Sequence, residues 1–303
     1  MNFQRYTRGF RKKLMGVAYL ALLMGFLLGS MVLPHNAYAQ DISTLVYDGV
    51  SKDFGVAGVG RVYGSTFSAD GTKMYILSDD EEKVAQWNLS TPWDLSSASY
   101  DGLSVDIRTL CTSSPYGSIY FNYLYDIAVN PDGSKMYILA SNGNKVYQFS
   151  LTDGDKDTIS YDGVNYNFVA PASHPRSIFF KPDGTKMYVG CVGTDAVYQY
   201  SLSSAWDVST ASYNCSTGSD GIDTPTKTNP DPYALFITAD GMTVYTGDMY
   251  HHLLHQYSLS IAWDISTISW VRTMDPSPTP DVGVPGVYLS ADGSKMFLAD
   301  HPG

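Results

Sequence analysis

A segment that recurs five times along the chain limits its fold more than any other feature of the sequence. Each copy is built around an Asp-Gly pair between alternating apolar residues, as in Asn-Pro-Asp-Gly-Ser-Lys-Met-Tyr from Asn130 to Tyr137. The glycines of the five pairs are Gly71, Gly133, Gly184, Gly241 and Gly293. Their spacings of 62, 51, 57 and 52 residues indicate one supersecondary unit per copy.

Two further motifs recur in register with the Asp-Gly pair. A glutamine followed by an aromatic residue recurs at Gln86, Gln148, Gln199 and Gln256, with spacings of 62, 51 and 57 residues. A Trp-Asp pair follows in three copies, with its carboxylates at Asp94, Asp207 and Asp264. We expect these carboxylates to accept backbone N–H groups in Asx turns. Three motifs in register indicate a true tandem repeat.

Each repeat divides into four strand-like pieces. Two apolar-alternating runs joined through Asp-Gly predict a hairpin, and two further pieces of the same kind follow it. Four strands per repeat with a period near 50 predict an all-β fold, a β-propeller of four-stranded blades. The repeats lie near residues 60–110, 122–170, 173–220, 230–275 and 283–303.

The first strand of each repeat predicts which end of the sheet is innermost. Aligned on the Asp-Gly turn, the copies share a column of mostly small residues: Gly64, Asp126, Ser177, Ala234 and Gly286. Small residues suit the place where blades converge on a central channel.

The last repeat is incomplete in the sequence. It supplies two strands before Gly303, and the segment from Asp41 to Gly49 matches the fourth strand of other repeats. We expect this N-terminal strand to complete the last blade, which lacks a visible third strand. The last blade then has three strands in a five-bladed ring, or the natural protein has more blades.

The repeat resembles a family of exported bacterial proteins. The runs beginning at Asn130 and at Lys181 resemble the YVTN-type propeller repeat and, more distantly, WD-repeat and lactonase-type propellers. The resemblance covers roughly residues 60–303 and implies a propeller fold, while it implies little about function.

The N-terminal segment predicts export. Five basic residues between Arg5 and Lys13 precede an apolar run from Leu14 to Leu33, and Ala-Tyr-Ala follows at residues 37–39. This order predicts a signal peptide over residues 1–39, with the propeller over residues 40–303 and a periplasmic or extracellular location. The alternative is a retained membrane anchor.

Charge and cysteine content narrow the classes of partner. Residues 40–303 hold 14 basic and 30 acidic residues, a net charge of −16. Such a surface argues against nucleic acid and, after removal of the leader, against an anionic membrane. The three cysteines (Cys111, Cys191 and Cys215) allow one disulfide at most, and Cys191 with Cys215 is one candidate pair.

The ligand-binding candidates lie near the start of the first strands, at the end of the blades opposite the Asp-Gly turns. Tyr63, Tyr125 and Tyr233 precede the small column in three repeats, and aromatic rings at a channel mouth suit sugar or peptide binding. Packing between blades is the alternative role. Asp126 is the acidic member of the column, so it either faces the channel as a base or ligand or accepts backbone N–H groups.

One cluster has the residue types of a metal site. Asp248, His251, His252 and His255 offer a carboxylate and three imidazoles within eight residues. On a strand His255 alternates with its neighbours, so the side chains need not converge, and surface or loop histidines are the alternative. No other cofactor is indicated.

These features favour a binding or scaffold module outside the cytoplasm over an enzyme, with an unidentified protein, peptide or glycan as ligand. A lactonase-like or other hydrolase with a site in the channel is one alternative. A propeller module within a larger surface or adhesion protein is another.

Overall fold

The computed structural model describes residues 2–8, 41–53, 62–112, 123–141, 143–152, 155–168, 172–217, 231–276 and 282–302. Nearly all of the regular structure is β-strand, as the repeat pattern predicts. Among the residues so described, no helix is long and apolar enough to cross a membrane.

Twenty strands are present in the described ranges. In chain order they are β1 (Asn2–Arg8), β2 (Leu45–Asp53), β3 (Val62–Phe67), β4 (Lys73–Ser78), β5 (Lys83–Leu89), β6 (Ala98–Asp106), β7 (Leu124–Val129), β8 (Lys135–Ala140), β9 (Lys145–Thr152), β10 (Asp155–Asn167), β11 (Pro175–Phe180), β12 (Lys186–Cys191), β13 (Ala196–Leu202), β14 (Ala211–Ser216), β15 (Ala234–Ile237), β16 (Thr243–Asp248), β17 (Leu253–Leu259), β18 (Ile268–Met274), β19 (Val282–Leu289) and β20 (Lys295–Pro302). One α-helix, α1 (Ile107–Thr112), and four 3₁₀ helices, η1 (Ile42–Thr44), η2 (Leu95–Ser97), η3 (Val208–Thr210) and η4 (Ile265–Thr267), complete the elements.

The strands form five antiparallel four-stranded sheets. Blades 1 to 4 are each built from consecutive strands (β3–β6, β7–β10, β11–β14 and β15–β18), and the fifth sheet has the order β19-β20-β1-β2. The first strands β3, β7, β11, β15 and β19 each contact the next, and β19 contacts β3. The fold is therefore a β-propeller of four-stranded blades, which confirms the predicted fold class.

The fifth sheet is assembled from both ends of the chain. The C-terminal repeat supplies β19 and β20, and the N-terminal segment supplies the outermost strand β2, as the sequence predicts. The third position, for which the sequence shows no repeat strand, is occupied by Asn2–Arg8. The proposed leader cleavage site falls outside the described residues, so export stays a prediction.

The Trp-Asp pairs shape the turn between the third and fourth strands. Asp207 accepts the N–H of Ser209 (3.0 Å) and caps η3, and Asp94 and Asp264 do the same for η2 and η4. This confirms the predicted Asx turns. The tryptophan beside each carboxylate packs over the Asp-Gly glycine of its own blade, and the Trp206 N–H donates to the Gly184 carbonyl (3.1 Å).

Neighbouring blades are joined by side chains of the repeat motifs. The motif glutamine of one blade accepts an N–H from the 3₁₀ helix of the next, as Gln199 does from Ile265 (3.2 Å). Gln148 and Gln256 make the equivalent bonds to Val208 and Ile42. These glutamines are buried, so each satisfies a backbone donor that water does not reach.

Buried tyrosines add a second bond at two of these seams. The Tyr137 hydroxyl donates to the Trp206 carbonyl (2.6 Å), and the Tyr188 hydroxyl donates to the Trp263 carbonyl (2.8 Å). The hydrophobic core consists of clusters shared by adjacent blades, in which these tyrosines pack with Met, Val, Ile and Phe side chains. The repeat motifs therefore encode the contacts between blades as well as the blades themselves.

Candidate functional site

The small column brings the first strands close together. A Cβ atom added to Gly64 would lie 2.7 Å from the Asp126 Cα, so the glycine permits β3 and β7 to approach. We call the face of the propeller that carries the Asp-Gly turns the lower face. The opposite face, where the first strands begin, is the upper face.

The Asp126 carboxyl links β7 and β11, the first strands of blades 2 and 3. Its Oδ1 accepts the N–H of Ile127 (2.8 Å), and its Oδ2 accepts the N–H of Ile178 in the next blade (2.8 Å). Burial raises the pKa of this carboxyl to about 8, although the two N–H donors act in the opposite direction. Both carboxyl oxygens therefore accept backbone N–H groups, which is one of the two roles that the sequence left open for Asp126.

The three predicted tyrosines lie together on the upper face. The ring centroids of Tyr63 and Tyr125 are 5.0 Å apart, and those of Tyr125 and Tyr233 are 6.4 Å apart. They come from blades 1, 2 and 4, and Arg176 of blade 3 completes the row. The Arg176 guanidinium carbon lies 3.7 Å from the Tyr125 ring centroid and 5.6 Å from that of Tyr233.

Arg176 is held in place by its neighbours. One guanidinium nitrogen donates to the Ser141 hydroxyl (2.5 Å) and to the Pro175 carbonyl (3.3 Å). Its Nε is buried and has no hydrogen-bond partner among the described residues. The stacked cation also acts on Tyr125, where it opposes a rise in the phenol pKa caused by burial.

Sequence reasoning missed Arg176, although the alignment contained the signal. The column before the small residues reads Tyr63, Tyr125, Arg176, Tyr233 and Pro285. The prediction named only the aromatic members of this column and omitted its one cationic member. A guanidinium is the side chain best suited to stack on tyrosine rings.

Two further tyrosines extend this surface outward. The Tyr250 hydroxyl lies 3.2 Å from that of Tyr233, and the two rings meet edge to face. Tyr123 stacks on Tyr125 with its ring centroid 6.5 Å away. Tyr250 is 65 % exposed and Tyr123 is 58 % exposed, so both rings are available to a ligand. We call Tyr63, Tyr123, Tyr125, Arg176, Tyr233 and Tyr250 the upper-face cluster.

Carboxylates lie next to the upper-face cluster. Asp231 precedes Tyr233, and its carboxyl interacts with that of Asp195. Burial, the neighbouring Asp195 carboxyl and the negative charge of Asp248 together raise the pKa of Asp231 to about 6, while His251 acts in the opposite direction. The upper face therefore combines phenol rings, one guanidinium and the Asp231 carboxyl, whose pKa is raised towards neutral pH.

The predicted metal-ligand residues do not all converge. His251 Nδ1 lies 2.7 Å from Asp248 Oδ2, so these two form a pair. His255 is buried on β17 with its Nδ1 against the Thr273 hydroxyl (2.7 Å), and burial lowers its pKa to about 4. Among the residues placed by the structure, no group of three or more His, Cys, Asp or Glu side chains is arranged to hold a metal ion.

His252 has a backbone role that repeats around the ring. It has a φ of 60° in the hairpin between the second and third strands, and Glu82, Asn144 and Asp195 occupy the same position with positive φ in the other three consecutive blades. The turn conformation therefore fixes the backbone at this position in all four blades.

A second concave feature lies below the small column. It is a cavity of about 340 Å³ lined by the first strands of all five sheets, and it extends to the Asp-Gly turns. Three aromatic side chains from successive sheets line it: Phe179, Phe236 and Tyr288. The Phe236 ring centroid lies 5.2 Å from that of Phe179 and 5.4 Å from that of Tyr288. The sequence predicted a ligand face on the opposite side only, because the lower cavity depends on how five strands converge.

All three cysteines are free thiols in the structure. Burial raises the thiol pKa to about 12 for Cys111 and for Cys191, and raises that of Cys215 as well. The proposed pairing of Cys191 with Cys215 is not present.

The comparisons with known proteins support the fold alone. The chain matches no protein-family model and no curated protein. Among solved structures, it is similar to a 6-phosphogluconolactonase-like protein of Bacteroides fragilis, with 12 % identity, a TM-score of 0.50, and coverage of 86 % of this chain and 85 % of that chain.

Two other solved structures are similar to this chain to a comparable degree. One is a functionally unknown protein of Desulfotomaculum acetoxidans, with 16 % identity, a TM-score of 0.47, and coverage of 82 % of this chain and 81 % of that chain. The other is the Swd1 β-propeller domain of Myceliophteria thermophila, with 10 % identity, a TM-score of 0.46, and coverage of 85 % and 77 %. Membership of the YVTN repeat family stays a prediction.

Proposed function

We propose that this chain is an exported β-propeller binding module, and that the upper-face cluster takes its extracytoplasmic ligand. The observation that carries the proposal is the stack of Arg176 on Tyr125 and Tyr233, with Tyr250 and Tyr123 exposed beside it. Tyrosine and arginine are the residue types that dominate binding energy in protein recognition sites.

The composition of the cluster supports a polar, ring-bearing ligand. Phenol rings offer flat apolar area at little cost in conformational entropy, and their hydroxyls donate and accept hydrogen bonds. The Asp195–Asp231 pair adds acceptors at the edge of the cluster. A sugar ring or the side chains of an extended peptide have the matching mixture of flat apolar faces and hydrogen-bonding groups.

Rigid placement supports binding further. The cluster residues lie at the starts of inner strands and in the short hairpin after β16, and Arg176 is fixed by Ser141 and Pro175. A surface that is ordered before the ligand arrives loses less entropy when it binds. The predicted leader at residues 1–39 supports a location outside the cytoplasm.

The test is a binding screen with paired variants. The protein is applied to glycan and peptide arrays, and each hit is titrated by calorimetry against the unmodified chain, Tyr250→Ala and Tyr213→Ala. Tyr213 is the matched control, because it is 48 % exposed but lies on β14, the outermost strand of blade 3. We expect Tyr250→Ala to weaken binding about tenfold, or about 1.4 kcal/mol, and Tyr213→Ala to leave it unchanged.

The proposal fails if the unmodified chain binds nothing on either array. It also fails if Tyr213→Ala weakens binding as much as Tyr250→Ala does.

A hydrolase is the second candidate, and the Asp195–Asp231 pair favours it. One carboxyl with a pKa raised to about 6 beside a second carboxyl is the arrangement of an acid and a base. Any glycan hit should therefore be incubated with the protein and its products analysed. Turnover that disappears in Asp231→Asn would replace the binding module with an enzyme.

A further inference from the structure

The upper-face cluster has a cationic side and an acidic side. Arg176 lies over Tyr125, with its guanidinium carbon 3.7 Å from that ring centroid and 5.6 Å from the centroid of Tyr233. The acidic side begins at Tyr233, whose backbone N–H donates to the carbonyl of Asp231 (2.8 Å). Both sides belong to blades 2, 3 and 4, which are consecutive in the chain. They therefore suit different groups of one ligand.

Three carboxyls meet on the acidic side. Asp195 lies in the hairpin after β12, Asp231 lies just before β15, and Asp248 is the last residue of β16. Asp248 already pairs with His251, with Oδ2 and Nδ1 2.7 Å apart. The carboxyls of Asp195 and Asp231 interact with each other. Within the described part of the chain, neither of these two forms an ion pair.

The neighbours of Asp231 create a negative potential around it. Burial, the Asp195 carboxyl and the charge of Asp248 together raise the pKa of Asp231 to about 6, while His251 acts in the opposite direction. Negative charge that makes a carboxyl hold its proton more tightly also attracts any other cation that reaches the same place. The acidic side therefore favours a ligand group with a positive charge.

The depth of the carboxyls distinguishes between kinds of cation. The Asp248 side chain is 1 % exposed, and Asp195 and Asp231 are half-buried. Tyr250 is 65 % exposed, and its N–H donates to Asp248 Oδ1 (2.9 Å), so its ring stands at the entrance. Lysine carries its ammonium group at the end of an unbranched four-carbon stem, which packs on apolar surface. An amino sugar carries its ammonium group directly on a bulky ring. The entrance therefore suits a lysine side chain better.

We infer that the ligand of the upper-face cluster is an extended peptide with a lysine side chain, whose ammonium group pairs with Asp195 and Asp231 and whose stem packs against Tyr250. The inference rests on the proposed binding function and adds the chemical class of the ligand. The peptide backbone lies along the row from Tyr125 to Tyr233, where the inner strands of blades 2, 3 and 4 begin side by side. Aromatic rings beside carboxylates hold an ammonium group through both ring faces and charge.

The test begins with an unbiased choice of peptide. A display library of random heptapeptides is selected on the unmodified chain, and lysine should be enriched at one position of the selected sequences. The best peptide is then titrated by calorimetry in two forms, with lysine and with Nε-acetyl-lysine at that position. Acetylation keeps the stem and removes the charge. We expect the acetylated form to bind at least tenfold more weakly.

Paired variants assign the effect to the two carboxyls. An Asp195→Asn, Asp231→Asn variant should bind the lysine peptide at least tenfold more weakly and bind the acetyl-lysine peptide as the unmodified chain does. Asp240→Asn is the matched control, because Asp240 is exposed in the Asp-Gly turn of blade 4 on the lower face. It should leave the affinity for both peptides unchanged.

A single variant tests the inference if the double variant does not fold. Asp195 has a φ of 48°, a conformation that asparagine also tolerates, so Asp195→Asn should keep the hairpin intact. We expect it to weaken binding of the lysine peptide at least threefold and to leave binding of the acetyl-lysine peptide unchanged.

The outcomes separate this inference from the proposed function. Peptides that bind equally well with lysine and with acetyl-lysine would overturn the inference and leave the binding module in place. Binding of a glucosamine oligomer, with no lysine peptide selected, would overturn the choice of a peptide. If neither peptides nor glycans bind, the proposed function fails and the inference fails with it.

Discussion

Replacement of Gly184 by alanine should destabilise the protein far more than the same change at Gly102. Both glycines have positive φ, 72° at Gly184 and 91° at Gly102, so alanine is strained at either position. The surroundings differ. A Cβ at Gly184 would lie 2.4 Å from the Trp206 ring, whereas nothing lies within 4 Å of a Cβ at Gly102.

The difference between the two variants can be worked from these contacts. Alanine in the left-handed region costs about 1–2 kcal/mol, and both variants bear this cost. At Gly184 the indole must also move, which costs about 1–3 kcal/mol for overpacking. The movement weakens the bond from the Tyr137 hydroxyl to the Trp206 carbonyl, worth about 1 kcal/mol. Gly184→Ala should therefore lose about 3 kcal/mol more than Gly102→Ala.

Thermal unfolding followed by circular dichroism measures the difference. For a chain of this length about 3 kcal/mol corresponds to roughly 5 °C in the midpoint, from an unfolding entropy of about 2.1 cal/mol/K per residue. Equal midpoints for Gly184→Ala and Gly102→Ala would refute the reasoning, because the Trp206 contact would then contribute nothing. In addition, Gly184→Ala should cost less in a Trp206→Ala background, where the ring is absent.

Further predictions concern the seam between blades and the buried carboxyl. Gln199→Leu should cost about 1–3 kcal/mol in urea unfolding, because the Ile265 N–H loses its buried acceptor; a loss below about 0.5 kcal/mol would contradict this role. Burial raises the pKa of Asp126 from 3.8 to about 8, so the folded protein holds a proton that the unfolded chain releases, and stability should fall as pH rises through that window. Asp126→Asn should flatten that fall in urea unfolding at pH 5 and pH 8, and an unchanged slope would show that another group causes it.

The fold was predictable because it rests on repeated local signals. Asp-Gly turns, alternating apolar residues and capping aspartates such as Asp207 act within a few residues of one another, and the sequence displays them directly. The alignment of repeats also predicted the small column that includes Gly64. The occupant of the third position in the fifth sheet was not predictable in this way, because β1 matches no repeat strand and lies far from β20 along the chain.

The candidate site was predictable only in part. Tyr63, Tyr125 and Tyr233 were recognisable from their shared position, and the structure brings them together. Arg176 occupies the same position, but its contribution depends on stacking between blades, which no local pattern shows. The sequence left open whether the three histidines converge, because the φ angle that fixes the backbone of His252 is not visible in a residue pattern.

The bonds between blades run in one direction around the ring, and this has a consequence for how such proteins change over evolutionary time. The glutamines of blades 2, 3 and 4 each reach the 3₁₀ helix of the following sheet. Blades 3 and 4 each carry both the glutamine and the 3₁₀ helix, so duplication or loss of either whole repeat leaves these seams with a matching donor and acceptor. An insertion of part of a repeat would separate a glutamine from its donor. The seam chemistry thus permits the number of blades to vary in whole repeats, while it opposes change of any other length.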